Sequence, residues 1–122
     1  MSITGRTRRR QRLAHEAPDN LASLSGFFAA DRPAWMGSLL RAIASGWPGV
    51  TEAEIRSVRV PTLVIGHGRD LAHPLACARD LVAMIGGARL VEITPKATDI
   101  GAYRTEFRSA LSAFLMALPP LR

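Results

Sequence analysis

The chain has 122 residues, of which 48% are hydrophobic and 21% charged, with a formal net charge of +6. These values suit a single globular domain with a modest core and exclude disorder of the whole chain. No apolar run approaches the ~20 residues of a membrane span and the N-terminal arginines precede no apolar segment, so a cytoplasmic location is expected. The single cysteine, Cys77, excludes an internal disulfide and a cysteine-based zinc site, and no ligand spacing suggests a metal.

The charge excess is local. Arg6, Arg8, Arg9, Arg10 and Arg12 account for five of the 16 basic residues, and the remaining 11 face 10 acidic residues, a net of +1. Residues 1–12 lack apolar periodicity and read as a basic flexible tail, or as a helix that orders late. Such a tail suits an acidic partner. No aromatic residue interleaves it and no recognition motif follows, so nucleic acid is not expected as the partner.

Residues 13–57 read as a helical region. Asp19 or Asn20 is placed to cap a helix carrying Leu21, Leu24 and Phe27 or Phe28 on one face, with Gly26 weakening its end. Asp31 and Pro33 open a second helix, in which Trp35, Leu39 and Ile43, widened by Leu40, form an apolar stripe that reads as core; Gly46 and Pro48 stop it. Thr51 followed by Glu54 is a capping box, predicting a short helix from Glu52 to about Ser57.

Residues 58–122 read as an α/β lobe. Val60 to Ile65, entered by Pro61 and closed by Gly66 and Gly68, predicts a parallel strand buried on both faces. Asp70 follows at its carboxyl end, where ligands collect in open α/β sheets, and His73-Pro74 suits the start of a helix. Ala78, Leu81, Val82 and Ile85 share one face of a helix spanning 74–85, ended by Gly86-Gly87. A second strand over 88–94 makes a right-handed parallel unit. The last helix, about 100–117, carries Tyr103, Phe107, Leu111, Phe114 and Leu118 at steps of four and three before Pro119-Pro120.

The run V-P-T-L-V-I-G-H-G-R-D-L-A-H-P, with A-R-L-V-E-I-T-P-K-A-T-D and the helix after it, resembles the C-terminal part of the α/β-hydrolase superfamily. The likeness covers roughly residues 13–118: the lid-like helices and the last two strand-helix units. It implies a truncated α/β lobe of two parallel strands flanked by helices, ester or acyl hydrolysis as the ancestral chemistry, no cofactor, and Asp70 in the position of the catalytic acid. The family's general base is a histidine after the last strand; Asp99 stands there instead. No serine has the G-x-S-x-G context of a nucleophile elbow, so the isolated chain is expected to lack turnover.

His67 and His73 are the other candidates for a base, against readings as a turn residue and a helix cap. Asp70 and Asp99 are either a paired-carboxylate site of acid/base type or two helix caps. A two-stranded sheet with a bare apolar edge falls short of independent stability. The expected partners are therefore a second copy, as a homodimer or higher oligomer, or a separate N-terminal hydrolase half.

Overall fold

The computed structural model describes residues 3–29, 31, 33–46 and 49–119. The expected stops at Pro48 and Pro120, and the side chain of Phe28, lie outside what is described. Eight elements follow one another: α1 (Ile3–Glu16), α2 (Pro18–Ala29), α3 (Met36–Ser45), α4 (Glu52–Arg56), β1 (Leu63–Gly66), α5 (Leu75–Met84), β2 (Arg89–Glu92) and α6 (Ile100–Met116). The two strands form one parallel sheet in the register Leu63↔Arg89 to Gly66↔Glu92. The chain is thus a small α/β fold.

The basic segment, expected as a flexible tail or a helix that orders late, is helical as α1. Arginine and glutamine are good helix formers, and Arg12 pairs with Glu16 one turn on at 2.8 Å, an exposed pair of small energetic weight. More is contributed at its other end. Ala17, wholly buried, turns the chain from α1 into α2. Arg69 donates through Nη2 to the His15 carbonyl at 2.6 Å and through Nε to that of Glu16 at 3.4 Å. These are carbonyls that a helix C-terminus leaves without partners, and a cation there also suits the helix dipole.

Three expected boundaries move. α2 begins at Pro18 and runs through Gly26, so Asp19 lies in its first turn and Asn20 is not its cap. α3 begins at Met36 instead of near Asp31, with Trp35 at the cap position and no side-chain cap bond. β1 begins at Leu63 instead of Val60, because Pro61 has no N–H to offer a ladder and the first bond to β2 is accepted by the Thr62 carbonyl. β1 is also only half-buried along its length, where burial on both faces was expected.

Local signals fared better. Thr51 Oγ1 accepts from the Glu54 N–H at 3.2 Å, and the Thr51 N–H donates to the Glu54 carboxylate at 2.7 Å, completing the capping box of α4. The bond from the Thr51 backbone, then that from its hydroxyl, holds the Glu54 carboxyl below its ordinary range. Gly87, at φ +82°, makes the left-handed turn after α5 that glycine favours. Thr94, just past β2, donates through N–H and Oγ1 to Glu106 at 2.5 and 3.0 Å, which seats α6 against the end of the sheet.

The core is thin. Ala17, Ile85 and Ile93 are the buried hydrophobic residues among those described, and none of the larger side chains is wholly enclosed. The α3 stripe read as core is open: Trp35 is 59% exposed, Leu39 43% and Ile43 66%. In α6, Tyr103 and Phe114 are half-buried, as is Leu118 just beyond it, while Phe107 and Leu111 are exposed.

Candidate functional site

β1 ends at Gly66, and the loop that follows builds one side of a cleft of about 400 Å³. α5 comes close here: a methyl group on Gly66 would stand 3.1 Å from Leu75 Cδ1. His67, Asp70, His73 and Cys77 line the cleft with Tyr103 of α6 and the apolar side chains of β1 and α5.

Asp70 organises the loop. Its Oδ1 accepts from the Ala72 and His73 N–H groups, both at 2.9 Å, and from Asn20 Nδ2 at 3.1 Å; Oδ2 lies 3.2 Å from His73 Nδ1. One-fifth of the side chain is exposed. Burial pushes its carboxyl up, but the bonds from the His73 backbone and ring, from Asn20 and from Ala72 outweigh that, so it lies below the ordinary aspartate value. The carboxylate is ionised near neutral pH.

Its partner in the cleft is His73. With its proton on Nδ1 toward Asp70, a neutral His73 presents a free lone pair on Nε2, the form a general base requires. The ring is 86% exposed, so no packing holds it beyond the Asp70 contact. His73 is not the helix cap it was expected to be: Pro74 occupies that position and α5 has no side-chain cap bond.

His67 has a different role. Its Nδ1 accepts from the Arg69 N–H at 3.3 Å, which places the proton of the neutral ring on Nε2. The Tyr103 ring meets it edge-on, with centroids 6.3 Å apart, and Phe107 stacks on Tyr103 beyond. Its basic lone pair is therefore already engaged within its own turn.

Asp99 lies outside this group. Exposed at the start of α6, its Oδ1 accepts from the Gly101 and Ala102 N–H groups at 2.8 and 2.9 Å, which is helix capping. It does not line the cleft, so the structure does not gather Asp70 and Asp99 into a carboxylate pair there. Of the four candidate residues, Asp70, His67 and His73 share one cleft.

Sequence reasoning missed Asn20 and undervalued Cys77 and Tyr103. Cys77, taken from the sequence only as a lone cysteine, is exposed and lines the cleft one helical turn after His73; that spacing was the available signal. Tyr103 was read only as part of the packing stripe of α6. Nothing in the local sequence distinguishes Asn20 from a helix cap. Among the described residues no serine lines the cleft, and no three His, Cys, Asp or Glu side chains gather as metal ligands. Nor is any described helix long and apolar enough to cross a membrane. No family model, curated protein or solved structure matches this chain.

Proposed function

We propose that this chain is the acid-bearing lobe of an α/β-hydrolase-like protein of the ester or acyl class, without turnover on its own. One observation carries the reading. At the carboxyl end of β1 an ionised Asp70 contacts the imidazole of His73, both line a mainly apolar cleft, and among the described residues no serine lines it. An acid and a base without an alcohol nucleophile are two parts of a three-part mechanism. Asp99, which replaces the family's histidine, serves its helix instead. In this reading the nucleophile comes from a separate polypeptide, and the unpaired Cys77 suits a reducing, cytoplasmic setting.

A second reading is favoured by the open stripe of α3: the chain self-associates, and its role is structural. Nucleic acid has no place in either reading. The test of the first is hydrolysis of p-nitrophenyl esters by purified chain, expected to equal the buffer rate. Turnover abolished by Asp70→Ala or His73→Ala would sink it, since the lobe would then be complete.

A further inference from the structure

The chain exposes 9484 Å². A self-contained globule of 13.2 kDa exposes about 6,400 Å² by the scaling of area with mass, so the excess is about 3,000 Å². The exposed arginines of α1 account for part of it. Large hydrophobic side chains contribute as well: Leu24, Val50, Val60, Leu71, Ile100 and Met116 are exposed separately, and six others form two rows.

The first row is Trp35, Leu39 and Ile43, on the start and outer face of α3, a helix that takes part in none of the larger packings between elements. The second is Phe107, Leu111 and Leu115 on α6, exposed by 40%, 39% and 55%. Tyr103, Ala110 and Phe114, half-buried, mark the side of α6 that meets β1, and the second row runs along the flank beside it. Each row steps by four residues and spans eight, about 12 Å of helix. Ridges of this i±4 type are the ones that interlock most often between helices, crossing at about −50°.

We propose that the row on α3 of one copy seats on the row on α6 of a second copy, and the reverse, about a two-fold axis. This deepens the self-association reading above and rests on it. Two unlike rows on one chain are covered reciprocally by one two-fold contact, which closes the assembly at a dimer. Neither row carries a charge that would call for a charged partner. The area agrees too: obligate dimers bury about 1,000–2,500 Å² per partner, within the excess this chain exposes. Two chains of +6 repel, so the dimer tightens as salt screens them, whereas a complex with an acidic partner weakens.

The experiment is sedimentation of the full chain at micromolar concentration, in low and high salt, with Leu39→Lys, Leu111→Glu and their mixture. The wild type sediments as a dimer, more tightly at high salt. Each variant alone raises the dissociation constant by at least about tenfold, because a charge then faces an apolar row twice. Mixing the two restores a dimer holding one of each, since that pair has one native contact and one facing Lys and Glu. If circular dichroism shows Leu111→Glu unfolded, Leu115→Glu, at the more exposed end of the row, takes its place. A wild-type monomer, or a mixture that stays monomeric while each variant is folded, overturns the proposal. Ester hydrolysis is read separately on the same samples, so loss of the dimer leaves the acid-lobe reading standing, and turnover leaves the dimer standing.

Discussion

Asn20 of α2 and Asp70 of the loop after β1, fifty residues apart in sequence, meet side chain to side chain at 3.1 Å. The same amide accepts through Oδ1 from the Leu71 N–H at 2.7 Å. Asn20 thus fills two needs of one loop, steadying the Asp70 carboxylate and satisfying a backbone donor beside it. The helical N-terminal region is fastened to the site by this residue and by Arg69.

Removing the amide should loosen that joint. Asn20→Ala is expected to cost about 1–2 kcal/mol, the range for a hydrogen bond to a charged group that is partly exposed. Denaturant unfolding checks the magnitude, and amide exchange at Leu71 should accelerate. Unchanged stability and unchanged exchange would show that the two segments are held by other contacts.

The Asp70 carboxyl lies below its ordinary value, and the sign of its pH effect follows. Its contribution to stability is complete above the unfolded aspartate value of about 3.9 and is lost as pH falls through the lower folded value. The stability advantage of wild type over Asp70→Asn should therefore be flat between pH 5 and pH 7, to take round conditions, and shrink only at about pH 4 and below. A gap that already changes between pH 5 and pH 7 would mean that a group other than the Asp70 carboxyl sets this pH dependence.

Asp99 separates structure from chemistry. Asp99→Ala should destabilise the chain by about 1 kcal/mol, the usual worth of an N-cap, and Asp99→Asn by less, since asparagine caps nearly as well. Asp99→His places here the residue type that the α/β hydrolases this chain resembles carry as general base. On the proposed reading it still gives no ester turnover, because no serine joins it; hydrolysis by that variant would show that a nucleophile is present after all.

α1 offers a test of what the basic segment contributes. Deleting Met1 to Arg10 leaves Ala17 and the Arg69 contacts in place, and the melting temperature should stay within a few degrees, as for most surface changes. Arg69→Ala, by contrast, strips the α1 carbonyls of their donors. Amide protection throughout α1 should then fall while that of β1 and β2 holds. Loss of folding in the deletion would assign α1 to the core.

Features that depend on residues a few positions apart were legible in the chain. The Thr51–Glu54 capping box, the strand before Asp70, the strand-helix-strand unit and the run of α6 all arise from period, caps and glycine or proline punctuation, which act over one or two turns. Asp70 at a strand end was legible for the same reason. The junction of α1 and α2 at Ala17, the reach of Arg69 to the His15 carbonyl, and the meeting of Asn20 with Asp70 were not, because each joins segments fifty or more positions apart or depends on packing around a corner. The same holds for the two stripes. Spacing showed that Trp35, Leu39 and Ile43 share a helix face, but burial depends on what lies opposite in space, and the described residues leave all three exposed.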